Sequence, residues 1–259
     1  MEKSKAPPPP AANQAPLTSL QKKMKGSLDG ARFRWINEEL YKSHSTTAHE
    51  MLRNDPDVFR EYHEGFRHQV KSWPVNPVDH YISQLSKYPV RTVVADLGCG
   101  DAALAQALIP KGMVVLSFDL VSDGAYVVEA DVCEKVPLPG SEVLDENSPG
   151  MGKGQLVDVV VCALSLMGTN WPSCVKEAWR ILKPGGELKI AEVTSRFSDV
   201  KKFEKLVCEL GFKAKSMDDS NSHFMLFEFK KVPRNLGQKG LDKVLTQTAL
   251  LKPCEYKRR

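Results

Sequence analysis

VVADLGCGDAALA, residues 93–105, is the stretch from which the rest of the chain can be read. A β-branched run ends in an acid, a Gly-x-Gly turn follows, and helix formers take over. Such a strand–turn–helix presents backbone N–H groups at a helix N-terminus, where α/β proteins bind nucleotides. Gly98, Gly100 and Ala103 satisfy G-x-G-x-x-G/A, a pattern that serves several cofactors. The glycines alone leave the ligand open.

Downstream, strands and helices alternate. TVVADL (92–97), VVLSFDL (114–120), YVVEADV (126–132), VDVVVCALSL (157–166) and GELKIAEV (186–193) read as strands. Between and after them, DAALAQAL (101–108, closed by Pro110), SCVKEAWRIL (173–182, stopped by Lys183-Pro184-Gly185-Gly186) and VKKFEKLVCELG (200–211, with Gly211 as C-cap) read as helices. FKAKSMD and HFMLFEFKK then pair as an antiparallel edge. The expected fold class is α/β: a doubly wound, Rossmann-like sheet, mostly parallel with an antiparallel edge strand. The cofactor loop lies at the carboxyl end of its first strand.

Upstream, residues 17–89 form a helical segment. Leu17 opens a basic helix that carries Phe33, Trp35, Ile36, Leu40 and Tyr41. Asn54-Asp55-Pro56 caps a second helix, with Val58, Phe59, Tyr62, Phe66 and Val70 on its apolar face, and Asn76-Pro77 opens a third. Residues 1–16, Pro- and Ala-rich, are expected to be disordered or extended. The alternating α/β domain spans 90–231, with a Gly/Pro/Ser-rich stretch at 137–155 read as an exposed insertion, and 232–259 reads as a basic tail.

The composition, 42% hydrophobic and 26% charged, is that of a soluble globular protein. MEKSKAPPPP lacks the apolar stretch of a signal peptide, and no run reaches the ~20 apolar residues of a membrane span, so no membrane partner is expected. Six cysteines without a CxxC pair point to reduced thiols in an intracellular protein, with no metal site. Residues 1–42 carry a net +4 and residues 230–259 a net +7, which leaves the middle at −7. The basic ends, rather than the acidic body, are suited to a polyanion, or they serve only for solubility.

The acids settle the cofactor. Asp96 precedes the glycines, Asp119 ends the next strand and Asp131 the third. Extra carboxylates are awkward beside a pyrophosphate but suit a cofactor with an ammonium and a sulfonium, S-adenosylmethionine. Asp119, about twenty residues beyond the loop, is placed to hold both ribose hydroxyls. Asp131 can accept from the adenine amino group, and Gly98 and Gly100 let backbone approach the aminoacyl end. CALSLMGTNW (162–171) lacks the Asn/Asp-Pro-Pro-aromatic motif of enzymes that methylate the exocyclic amine of adenine.

LKPGGELKIAEV resembles class I methyltransferases. Together with DGARFRWINEELY, YHEGFRHQVKSWPVNPVD, VVADLGCGD, LSLMGTNW, NSHFMLFEFKK and LKPCEYKRR it resembles the ribosomal RNA-processing protein 8 family, from about Leu17 to the last residue. The resemblance implies a nucleolar enzyme of the nucleus that methylates N1 of an adenosine in large-subunit ribosomal RNA. Pre-ribosomal particles and chromatin-associated proteins are the partners it suggests. It further implies cofactor contacts from His63, Gly98, Asp119, Asp131 with Val132, and Ala163, where relatives can carry cysteine; taken alone, His63 reads as a core or capping histidine. The 137–155 stretch is longer than the connection expected in that family.

Ser165 and Asn170, just past the fourth strand, are the candidate target-base contacts. Lys22, Lys23, Lys25, Arg32 and Arg34, aided by Lys257, Arg258 and Arg259, are candidates for gripping RNA. The rival reading keeps the pocket but makes the chain a scaffold without turnover. A small-molecule or protein methyltransferase is a third.

Overall fold

The computed structural model describes residues 18–122, 124–138 and 154–256. The Pro-rich start, most of the 137–155 insertion and Lys257, Arg258 and Arg259 therefore lie outside the described residues. No described helix is long and apolar enough to cross a membrane.

Strands β1 (Val93–Leu97), β2 (Val114–Asp119), β3 (Val127–Glu129), β4 (Val157–Ala163), β5 (Leu182–Val193), β6 (Phe212–Asp218) and β7 (Phe224–Lys231) form one sheet in the order β3-β2-β1-β4-β5-β7-β6. Pairings from β3 through β5 are parallel, whereas β7 runs antiparallel to both β5 and β6. The order reverses between β1 and β4, the switch point beside which such sheets bind ligands. Val94, Ala95 and Leu97 are buried on both faces, which is why these strands read as continuous apolar runs rather than alternations.

One face is covered by α4 (Pro77–Leu85) and α5 (Ala103–Leu108), through Tyr81, Leu85, Leu104 and Leu108 against Val94, Val159 and Val161. The other carries α6 (Trp171–Ile181), α7 (Val200–Glu209) and α8 (Gln238–Leu245), with Trp171, Val175, Phe203 and Val207 in the main core. A third core sits above the carboxyl ends of the strands. Here α1 (Ser19–Lys42), α2 (Ser45–Asn54) and α3 (Pro56–Val70) bury Phe33, Ile36, Leu40, Leu52, Val58 and Tyr62. Helices α1 and α3 meet at Gly65, where an added Cβ would stand 2.4 Å from the Phe33 ring. Any larger residue would prise this layer apart.

The expected fold class holds, and the elements differ from expectation in instructive places. The third strand shrinks to Val127–Glu129. The fourth ends at Ala163, because Leu164 turns into the left-handed region at φ +61°. Lys183-Pro184-Gly185-Gly186 ends the helix yet belongs to β5, which begins at Leu182 with a register shift against Val157 and Val159. Helix α2 has no counterpart in the sequence reading, since only Ser45, Ala48 and Leu52 are buried in it.

Residues 232–256, read as part of a basic tail, form a strap instead. After α8, Leu251 bridges to Phe197, and Arg196 and Lys252 exchange hydrogen bonds of 2.7 Å. Asn37 donates to the Cys254 carbonyl at 2.7 Å, and the Tyr256 ring lies 5.2 Å from Phe33. Beneath the strap, Arg196 and Glu192 form a wholly buried ion pair at 2.6 Å, with the guanidinium 4.5 Å over the Tyr41 ring. The strap thus ties the sheet to the N-terminal helical layer.

Candidate functional site

The strand ends and the helical layer enclose a cleft of about 640 Å³, a size that suits a nucleotide-like ligand. Its floor is the loop after β1. Gly98, at φ +75°, and Cys99 donate to the Phe118 carbonyl at 2.8 and 3.1 Å, latching the loop onto β2. A Cβ on Gly98 would fall 2.4 Å from the Ser165 Cβ. Packing against the end of β4, in addition to any ligand, therefore demands glycine here.

Asp119 organises this floor. One of its oxygens accepts from Gly100 N–H at 2.8 Å, the other from Leu120 N–H at 2.7 Å. Each retains lone-pair capacity for a ribose hydroxyl. Asp96, only 3% exposed, faces the same cleft. Burial, reinforced by the charge of Asp119, pushes its carboxyl up to about 8. Asp131 accepts from Cys133 N–H at 2.8 Å through Oδ1, while Oδ2 is buried with no hydrogen-bond partner among the described residues. A buried acceptor left bare is costly, and a donor from a bound adenine would satisfy it. These three acids thus fit the ammonium, the ribose and the adenine amino group of S-adenosylmethionine.

The roof comes from α3. His63 lies over Gly100, where a Cβ would be 3.1 Å from its Cε1. Its ring packs against Phe59 at 4.3 Å and Tyr62 at 5.3 Å. Burial depresses its basicity, opposed in part by Asp119 and Asp101, so the neutral imidazole is favoured. One turn on, Arg67 bonds Asp101 at 2.6 Å and closes the cleft beside the loop. Tyr62 hydroxyl donates to the Met167 sulfur at 3.5 Å.

Of the residues expected from sequence, His63, Asp96, Gly98, Gly100, Asp119, Asp131, Val132, Ala163 and Ser165 all line this one cleft. Ser165 donates to the Leu97 carbonyl at 2.5 Å, so its hydroxyl keeps acceptor capacity only. Asn170 lies off the cleft wall. Its amide accepts from Ser45 N–H at 3.1 Å and donates to Ser45 Oγ at 2.8 Å, which locks the start of α2 to the turn after β4. Sequence reasoning missed Phe59, Phe66, Arg67, the turn residues Trp73–Asn76, and Val78 and Asp79 at the start of α4, all on the wall. The signal available was the aromatic spacing along α3 and the WPVNP run after it.

Residues 19–259 match a family model described as "Hypothetical methyltransferase". The chain is 46% identical to a Schizosaccharomyces pombe protein named 25S rRNA (adenine(645)-N(1))-methyltransferase, over 96% of this chain and 75% of the relative. It is 42% identical to Ribosomal RNA-processing protein 8 of Mus musculus, over 100% of this chain but only 52% of the relative, so it spans about half the length of that protein. Among solved structures, a TehB-like SAM-dependent methyltransferase from Corynebacterium glutamicum matches with a TM-score of 0.50 at 16% identity. That match covers 68% of this chain and 100% of the other, and at this identity it bears on the fold alone. A family model matched over nearly the whole chain and a relative 46% identical over 75% of its own length establish that the chain belongs to the ribosomal RNA-processing protein 8 family of methyltransferases.

Proposed function

We propose that this chain methylates N1 of an adenosine in large-subunit ribosomal RNA, using S-adenosylmethionine, in the course of ribosome assembly in the nucleolus. The observation that carries the cofactor is the pair of strand-end acids, Asp119 with spare acceptor capacity and Asp131 with a bare buried oxygen. The substrate rests on the names of the relatives.

When bound, S-adenosylmethionine supplies an electrophilic methyl group on a sulfonium, and N1 of adenine offers a lone pair at neutral pH. The chain therefore needs no strong base, which agrees with His63, the one histidine lining the cleft among the described residues, whose basicity burial lowers. Its residues hold two ligands in line, a contribution of up to ~7–11 kcal/mol. Asp96 faces the ammonium, Asp119 the ribose, Asp131 and the Val132 backbone the adenine, and His63 closes the roof over Gly100. The acidic wall also suits a product base that carries a positive charge.

N1 lies on the Watson–Crick edge, so a paired target must first be opened, at a cost of a few kcal/mol. Lys22, Lys23 and Lys25 stand exposed on α1 to hold flanking RNA. Arg32 is engaged with Glu61 at 2.9 Å and lies over Trp35, while Phe33 is buried. Trp35, 46% exposed, remains available for stacking.

The test incubates the purified chain with labelled S-adenosylmethionine and unmodified large-subunit RNA, then analyses nucleosides. The expected product is N1-methyladenosine. Asp119→Ala should cut it about 5- to 150-fold at limiting cofactor, matching a cofactor affinity weakened by about 1–3 kcal/mol. Tight cofactor binding with no methylated nucleoside, on free RNA or on pre-ribosomal particles, would favour a scaffold on those particles or on chromatin.

A further inference from the structure

The cleft extends beyond what the cofactor acids occupy. Asp131, Asp119 and Asp96 stand at the carboxyl ends of β3, β2 and β1. The opposite end is walled by the turn between α3 and α4, with Val70, Lys71, Trp73, Pro74, Asn76 and Asp79. Trp73 locates that turn. Its ring centroid lies 5.4 Å from that of His223 and 6.2 Å from that of Phe224. Phe224 pairs with Val193 at the carboxyl end of β5. The indole therefore stands on the β5–β7 side of the sheet, across β4 from the acids. With strands ~4.8 Å apart, β7 is about 10 Å from β4, whose end lines the cleft between the acids and the indole through Ala163, Leu164 and Ser165.

We propose that this end of the cleft seats the target adenine, with Trp73 as its stacking platform and Asn76 and Asp79 reading its polar edge. The proposal rests on the adenosine-N1 reading above and assigns a place to the base. Asn76 Oδ1 accepts from Val78 N–H at 3.0 Å, capping α4. That bond orients the amide and leaves its NH2 as a donor on the wall. Asp79, two residues on from Pro77, adds an acceptor. On the Hoogsteen edge, which leaves N1 free to react, adenine presents an amino donor beside the N7 acceptor, whereas guanine presents two acceptors there. A donor and a carboxylate side by side therefore favour adenine. An indole face and a carboxylate also attract the cationic methylated base. The residues first expected in this role are otherwise engaged: Asn170 is bound to Ser45, and Ser165 donates to Leu97. Lys71, on the rim of the same turn, can meet the phosphate of the target nucleotide.

Two readouts test this. In the first, the chain saturated with S-adenosylhomocysteine is titrated with AMP and with GMP while tryptophan emission is followed, in the wild type and in Trp73→Phe. Saturable quenching by AMP, weaker with GMP and missing in Trp73→Phe, is expected. In the second, steady-state methylation of large-subunit RNA is compared for wild type, Trp73→Ala and Trp73→Phe. Trp73→Ala should raise KM for RNA at least about fivefold, the loss of one base–aromatic stack, with Trp73→Phe restoring most of it and S-adenosylhomocysteine affinity changing by less than about twofold. Equal loss of S-adenosylhomocysteine affinity in Trp73→Ala would make Trp73 part of the cofactor roof and overturn the proposal. So would an unchanged KM or the lack of AMP quenching. A wild type that never methylates RNA yet shows Trp73-dependent AMP quenching would keep the base site and overturn the ribosomal RNA reading.

Discussion

Asp131 makes the most specific chemical demand in the cleft, since one oxygen is bonded to Cys133 N–H and the other has no partner among the described residues. In Asp131→Asn the oxygen can keep the Cys133 bond, and the NH2 then faces the adenine amino group, donor against donor. Affinity for S-adenosylhomocysteine should fall about tenfold, and an analogue with hypoxanthine in place of adenine should bind the variant better than the natural form does. Calorimetry with both ligands decides this, and an unaltered preference for adenine would remove Asp131 from the site. Asp96 makes a pH-dependent demand. Its carboxyl, pushed up to about 8 chiefly by burial, is mostly protonated at pH 7. An ammonium beside it stabilises the carboxylate, so cofactor binding should release a proton, and affinity should rise with pH until about 8 and then level off. Calorimetry in two buffers of different ionisation enthalpy would detect that proton, and Asp96→Asn should lose it. For the unliganded fold the sign is opposite. Between the ordinary 3.8 and about 8 the folded chain holds the extra proton, so this group's contribution to stability declines as pH rises through that window. The strand-end position of all three acids was legible in sequence, because each closes an apolar run. The tie between Asn170 and Ser45 was not, as the partners stand 125 positions apart.

At the scale of elements, periodicity served well where a helix or strand buries one continuous face. It failed for α2, whose polar sequence STTAHEMLRN buries little and whose first turn is held by Asn170 from another layer. It failed again for the strap, because nine basic residues in residues 230–259 masked the apolar contacts of Val244, Leu251 and Cys254. The strap depends on the Arg196–Glu192 pair, both members of which are inaccessible to solvent. Removing one partner strands a buried charge, so Arg196→Ala should destabilise the fold by about 3–5 kcal/mol in chemical denaturation. Replacing both with apolar residues of similar volume should recover much of that loss. A single variant of wild-type stability would show that the strap is held elsewhere.

Across the whole molecule, charge and shape divide the work. The acidic body encloses the cleft, while Lys22, Lys23 and Lys25 stand on a part of α1 that buries none of its side chains. Replacing all three lysines with alanine should leave cofactor affinity intact and flatten the salt dependence of RNA binding by about 2 in log–log slope, ~0.7 per phosphate contact on a single strand. An unchanged slope would place the RNA elsewhere. By contrast, the second half of α1 builds the third core and contributes Leu40 to the cleft wall, so loss of the whole helix would damage the pocket as well. Sequence alone determined the α/β alternation, the strand order's starting loop and the acids at the strand ends. Those features depend on neighbours along the chain, where periods of two and 3.6 residues and the residue types at turns act directly. Only the tertiary structure decided which polar groups satisfy one another, that the basic end is a strap, and that the turn at Trp73 walls the far side of the cleft. Those outcomes depend on residues from different layers competing for the same donors, acceptors and apolar surface, and chain order carries no record of that competition.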